Sequence, residues 1–174
     1  MKQKRPRKYI RITKEFVLKD GQKKLGIYPS ESFSIQYDIN FPHPLIGEQS
    51  LHVEFTGTNY GDLIAPARTF GFYHEVEQLQ AHGLIRGGSL ENAIVLTDTG
   101  MLNDTSLRFP DEFVRHKMLD LLGDFALIGQ PVMGRLVADR AGHALHTRFV
   151  AELLDSTSHW VIDTSVAAAV ASTR

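Results

Sequence analysis

The sequence predicts an α+β two-layer domain: a mixed, mostly antiparallel sheet, two helices on one of its faces, and a small βαβ insert. Three observations predict it. Phe33-Ser34-Ile35-Gln36-Tyr37-Asp38-Ile39-Asn40-Phe41 alternates apolar and polar side chains, the period of a strand with one face on a core. Residues 110–127 place apolar side chains at helical spacing instead. Strand-like segments precede helix-like ones, an order that suits segregated layers.

The elements follow in order. Tyr9–Leu18 is rich in strand formers and runs into Asp20-Gly21, a tight-turn dipeptide. The alternating strand ends at Pro42-His43-Pro44, because proline cannot donate to the ladder. Leu51, Val53 and Phe55 repeat the alternation, so the first 56 residues read as an antiparallel sheet. Phe72, Val76 and Leu79 fall at i, i+4 and i+7, a helical stripe for which Gly83 is a natural C-cap. With Arg68–Phe72 before it and Ala93-Ile94-Val95-Leu96 after it, residues 68–97 form a candidate βαβ insert. Pro110, Asp111 and Glu112 suit the first turn of the strongest helix, 110–127, and Gly129 suits its stop. A strand near Gly134–Ala138 and a helix over Ala144–Leu154 complete the domain. The expected organisation is a basic leader at 1–8, a domain at 9–155 and a C-terminal tail at 156–174 that frays over 166–173.

Composition narrows the function classes. The chain has 174 residues, 43% of them hydrophobic and 22% charged, which excludes disorder of the whole chain. It has no cysteine, which excludes disulfides, thiolate metal sites and a cysteine nucleophile. No apolar run approaches the ~18 residues of a membrane span, and Met1-Lys2-Gln3-Lys4-Arg5 leads into no signal-peptide core, so a cytoplasmic location is expected. Ten of the 19 basic residues lie in residues 1–24, ahead of an acidic body. Such a leader reads as an arm for a polyanion or as a solvated lead-in. It lacks interleaved aromatics and the body continues no basic face, so no nucleic-acid partner is expected.

Three places carry chemistry. On the 110–127 helix, with Val114 at zero, Met118, Leu121, Leu122 and Phe125 fall between about −20 and 80°, the core stripe. His116, Asp120, Asp124 and Lys117 fall between about 200 and 300°, on the far side. His116 and Asp120 are i and i+4, so an imidazole and a carboxylate project as neighbours and can share one metal ion. The same spacing also occurs on ordinary solvated faces. Gly142 lets His143 sit at a strand-to-helix corner, as an acid or base or as a plain helix-start residue. Ala67-Arg68-Thr69-Phe70-Gly71-Phe72 offers a hydroxyl and a glycine between two aromatics. His52, His74, His82, His146 and His159 have no suggestive neighbours and read as surface or structural.

These blocks carry a resemblance. Ala67–Phe72, Gly83-Leu84-Ile85-Arg86-Gly87-Gly88-Ser89-Leu90-Glu91-Asn92-Ala93-Ile94-Val95, Leu107-Arg108-Phe109-Pro110-Asp111-Glu112-Phe113-Val114-Arg115-His116-Lys117-Met118-Leu119-Asp120 and Gly142-His143-Ala144-Leu145 occur in the order and spacing of one family. Together, over residues 8–155, the chain resembles the second half of the zinc-dependent UDP-3-O-acyl-N-acetylglucosamine deacetylases, Gram-negative enzymes of the committed step of lipid A synthesis.

The resemblance implies a fold like ribosomal protein S5 domain 2 and a zinc cofactor. It makes His116 and Asp120 metal ligands, His143 the general acid, Asp124 the holder of its imidazole, and Thr69 a stabiliser of the oxyanion. Lys117 would contact the sugar–diphosphate, Phe70 and Phe72 the acyl passage, and Phe41 the uridine diphosphate. It also implies what is missing. The family's third ligand is a histidine in its first domain, preceded by the glutamate base, and this sequence has no Glu-His dipeptide. The chain is therefore expected to be the second half of a deacetylase, inactive without a first domain as partner. The alternative of another class is a binding module for a sugar nucleotide or a protein, without catalysis.

Overall fold

The computed structural model describes residues 7–75 and 90–164. Seven strands form one sheet: β1 (Tyr9–Ile12), β2 (Phe16–Asp20), β3 (Lys23–Tyr28), β4 (Phe33–Phe41), β5 (Gly47–Glu54), β8 (Val132–Asp139) and β9 (Trp160–Asp163). Two more, β6 (Thr69–Phe72) and β7 (Ala93–Leu96), form a separate parallel pair. The α-helices lying wholly within the described residues are α1 (Tyr60–Leu63), α2 (Glu112–Phe125) and α3 (His143–Asp155). None among the described residues is long and apolar enough to cross a membrane.

The sheet is mixed because β8 joins two antiparallel hairpins and a third, long-range antiparallel pair. β2 pairs with β3, β4 with β5 and β1 with β9, each antiparallel. β8 then runs antiparallel to β3 and parallel to both β4 and β1. The first 56 residues are thus not one antiparallel sheet; their strands meet only through a strand more than 70 residues further on. α2 lies on β4 and β5, α3 lies on β2 and β3, and the helices touch each other, so both cover one face. The expected α+β two-layer class and the common face of the helices hold.

Local differences have local causes. The strand expected over Tyr9–Leu18 is broken at Thr13-Lys14-Glu15, where the backbone N–H groups of Thr13 and Lys14 turn to the carbonyl of His159. Gly21 is left-handed (φ 57°), as the β2–β3 turn requires. The 110–127 helix is Glu112–Phe125 followed by a 3-10 turn, Ala126–Ile128, which Gly129 closes at φ 73°. Residues 156–163, the start of the expected tail, join the sheet, and the expected frayed end, 166–173, lies outside the described residues. Thr157–His159 makes a 3-10 turn, and β9 pairs with β1 because Trp160 anchors it, its indole N–H donating to the Leu153 carbonyl. In the insert, Phe72 ends the expected first strand, and the next residues, Tyr73, His74 and Glu75, are helical. Val76, Leu79, Gly83 and Gly87-Gly88 lie outside the described residues.

The core lies between sheet and helices, where Leu25, Ile27, Ile35, Tyr37 and Leu136 meet Phe113, Met118, Leu121 and Phe149. Gly134 in β8 is required by contact: a Cβ there would lie 2.8 Å from Ile12 Cγ1 and 3.2 Å from Ile27 Cδ1. Gly123 in α2 is the opposite case, since its Cβ would meet nothing within 4 Å. Gly134→Ala is therefore expected to cost about 1–3 kcal/mol by overpacking. Gly123→Ala is expected to gain up to ~1 kcal/mol of helix propensity. Urea unfolding followed by circular dichroism reads both.

Candidate functional site

The site is built on the solvent-side arc of α2. Met118, Leu121 and Phe125 bury the other side, which leaves His116, Lys117 and Asp120 at the surface edge of the layer with about 13–15% of each side chain exposed. Asp120 joins its neighbours: its Oδ1 lies 3.2 Å from His116 Nε2 and its Oδ2 accepts from Lys117 Nζ at 2.7 Å. Burial opposes its charge, but these two hydrogen bonds win and hold its carboxyl down to about 2. Asp120 is thus a carboxylate at any working pH.

One turn further, Asp124 Oδ2 receives two imidazoles, His143 Nδ1 at 2.7 Å and His146 Nδ1 at 2.8 Å. His143 opens α3, and its Nε2 lies 3.8 Å from Asp120 Oδ2. Gly142 before it is extended (φ −160°), so glycine is not what makes the corner. The turn is made at Arg140, left-handed at φ 50° and held by its N–H to the Asp38 carbonyl and its guanidinium to Asp139.

The insert supplies the opposite wall. Thr69, Phe70, Phe72 and Glu75, with Phe41 from the end of β4, face His116, Lys117, Asp120 and His143 across a cavity of about 340 Å³. Phe70 packs edge-on to Phe41 and Phe113, at 5.7 and 5.1 Å between ring centroids. Phe41 and Lys117 also border a second hollow of about 380 Å³, where Lys23 and Arg140 add positive charge. A third hollow, about 590 Å³, lies by Phe33, Phe55, Leu122 and Phe125, and no acid, imidazole or amine lines it. The chemistry is in the smaller cavity.

An ion pair fixes the insert to the helix. Arg68 and Glu112 have 5% and 0% of their side chains exposed. The Glu112 carboxylate accepts from Arg68 Nε, Arg68 Nη2 and the backbone N–H groups of Arg68 and Arg108. Burial works against its charge, yet these bonds hold Glu112 below the usual carboxylate range. Glu112 therefore serves this clamp rather than the helix dipole. A second tie runs from His43, buried, whose Nε2 donates to the Thr97 carbonyl while its Nδ1 accepts from the Leu45 N–H.

The donor set at His116 and Asp120 fits a metal ion. In a tetrahedral site with ligands at ~2.0–2.1 Å, two donor atoms stand about 3.3 Å apart. His116 Nε2 and Asp120 Oδ1 are 3.2 Å apart, a nitrogen and an oxygen donor at the separation such an ion bridges. His116 Nδ1, buried without a hydrogen-bond partner among the described residues, would carry the hydrogen of a ring held through Nε2. Asp124, His143 and His146 also gather donor atoms within 4.8 Å, but their 2.7 and 2.8 Å separations are those of hydrogen bonds.

All nine residues singled out for the site are thus near one another. His116, Asp120, His143, Thr69, Lys117, Phe41, Phe70 and Phe72 line one cavity, and Asp124 stands behind His143. The sequence reading missed His146, Arg140, Glu75 and the Arg68–Glu112 pair. For His146 a signal existed. It stands at i−3, i−4 and i−7 from Phe149, Val150 and Leu153, inside the apolar stripe of α3, where a polar residue needs a partner.

The family model described as LpxC, UDP-3-O-acyl N-acetylglycosamine deacetylase, matches residues 1–155. The chain belongs to this deacetylase family. It is 45% identical over 154 residues to the UDP-3-O-acyl-N-acetylglucosamine deacetylase of Geotalea uraniireducens, covering 88% of this chain and 50% of that one. With the proteins of the same name from Nautilia profundicola and Sulfurimonas denitrificans it shares 51% over 149 residues and 48% over 159, covering 86% and 91% of this chain and 51% and 54% of theirs. The chain spans about half the length of the curated relatives it matches.

Removing one side of the clamp leaves a buried charge. Glu112→Leu is expected to cost about 3–5 kcal/mol, and Arg68→Met with Glu112→Leu much less. Because Glu112 ionises more readily in the folded state, its contribution is complete above its ordinary value of 4.5 and fades as pH falls through the lower folded value. Urea midpoints from pH 7 to 3 should therefore fall less steeply in the double variant than in the wild type.

Proposed function

We propose that this chain is the second half of a zinc-dependent deacetylase that hydrolyses the N-acetyl group of UDP-3-O-(3-hydroxyacyl)-N-acetylglucosamine in lipid A biosynthesis. One observation carries the reading: α2, the start of α3 and the insert bring His116, Asp120, His143 and Thr69 to a single cavity. On this reading the chain works in the cytoplasm of a Gram-negative bacterium, without a nucleic-acid partner and without inserting into the membrane.

His116 and Asp120 hold the zinc. When bound, the ion polarises the acetamide carbonyl and lowers the pKa of a water towards ~7. Thr69, exposed on the cavity wall, donates its hydroxyl to the developing oxyanion. His143 gives its proton to the leaving amine through Nε2, the ring nitrogen on the Asp120 side, while Asp124 holds Nδ1. Lys117 reaches the sugar–diphosphate from the border of the two hollows, where Lys23 and Arg140 add charge suited to a diphosphate. Phe41 lies against the nucleotide, and Phe70 and Phe72 line the acyl passage.

Two protein ligands are one fewer than a catalytic zinc site normally has. A first domain supplying a Glu-His pair provides the third ligand and the base. Without it, loss of the base alone removes about 10²–10⁴ in rate. The purified chain is expected to bind zinc weakly and to release no acetate from the acyl-sugar nucleotide. Mixing it with the first half of the Nautilia profundicola relative should restore both, and His116→Gln or Asp120→Asn should abolish the gain. Tight zinc and turnover by the chain alone would overturn the two-half reading. Tight binding of the nucleotide with no turnover in the mixture would favour a binding module.

A further inference from the structure

His146 is fully buried, yet both of its ring nitrogens are engaged. Its Nδ1 lies 2.8 Å from Asp124 Oδ2, the same oxygen that meets His143 Nδ1 at 2.7 Å. Its Nε2 lies 3.1 Å from the hydroxyl of Tyr37, which is also fully buried and lies 2.9 Å from the Ala141 carbonyl. A carboxylate only accepts, so Nδ1 carries hydrogen in both imidazoles. Burial keeps the Tyr37 phenol protonated, its pKa pushed well above the ordinary value. Burial also lowers the pKa of His146, against the pull of Asp124, which favours the neutral ring. The neutral ring then has its hydrogen on Nδ1, towards Asp124, while the single hydroxyl proton of Tyr37 goes to the Ala141 carbonyl and is at most shared with Nε2.

This chain of contacts has a direction. Tyr37 belongs to the middle of β4 and stands against Nε2 of His146, which keeps the ring in place, and the Nδ1–H of that ring pins one oxygen of Asp124. That oxygen orients His143, whose side chain is 64% exposed and otherwise has room to turn. We infer that His146 is a positioning residue: through Asp124 Oδ2 it fixes the ring orientation and the Nδ1–H tautomer of His143. The inference rests on the proposed role of His143 only for its consequence in catalysis; the geometry stands without it.

Two substitutions separate the two nitrogens of His146. His146→Asn keeps an amide N–H where Nδ1 stood and loses the reach to Tyr37. His146→Gln carries its amide one bond further, to the Nε2 position, and loses the donor to Asp124. Long-range 1H–15N spectra of the 174-residue chain labelled at histidine nitrogen, at alkaline pH, read the tautomer of His143 directly. The wild type and His146→Asn should show His143 as the Nδ1–H form. His146→Gln should move it towards the Nε2–H form, as Asp124→Asn does. Tyr37→Phe should lower stability and leave His143 in the Nδ1–H form. A His143 unchanged in His146→Gln, or shifted equally in His146→Asn and Tyr37→Phe, would overturn the inference. If His146→Gln fails to fold, His146→Asn decides, since loss of the Nδ1–H form there has the same effect. In the mixture with a first domain, His146→Gln should lower kcat at least about tenfold with KM kept, part of the 10²–10⁴ of an acid–base group. The expected spectra with an unchanged kcat would uphold the positioning and refute the role of His143 as acid.

Discussion

The site depends on the buried pair of Arg68 and Glu112. The described strands of the insert, β6 and β7, pair only with each other, and a two-stranded unit is marginally stable at best. Its first strand begins at Thr69, directly after Arg68, and α2 begins at Glu112, one turn before His116. A bidentate guanidinium–carboxylate contact sets distance and plane together. Closing it fixes Thr69 and Phe70 over His116 and Lys117. Arg68 Nη1 and Nη2 also reach Thr105 and the Ser106 carbonyl, so the loop entering the helix is drawn into the same knot.

The rest of the architecture places a second group of side chains against the first. β8 collects the three antiparallel pairs and delivers the chain, through the left-handed Arg140, to the start of α3. The two helices touch on one face of the sheet, which sets His143 and His146 beside Asp124. The His116–Asp120 pair needs only the local i, i+4 geometry of one helix. The His143–Asp124 pair needs the tertiary packing of two.

What the sequence made legible follows this division. Local periodicity exposed β4, α2 and α3, and the helical wheel separated the core stripe of α2 from the arc of His116, Lys117, Asp120 and Asp124. The family blocks added Thr69, Phe70 and His143, which no local pattern joins to that arc. Long-range pairing was hidden: nothing near Val132 says that β8 will lie between β3 and β4. The tail was misread because Trp160 and β9 are held by contacts with Leu153 and β1, far from any local signal. His146 was passed over because its neighbours in sequence are ordinary, although its partners Tyr37 and Asp124 lie on two other elements. Glu112 looked like a residue for a helix start because a sequence does not show that its carboxylate points inward to Arg68.

Phe70 belongs to two structures at once. One edge of its ring meets Phe113 in the core, and the same ring meets Phe41 and His116 at the cavity. Any change that widens the cavity here also opens a void beneath it. Divergence in what the cavity admits is therefore coupled to folding at this residue, and a lineage altering its ligand must compensate in the core as it does so. The exposed Glu75, on the same rim, carries no such debt and is the freer place for change.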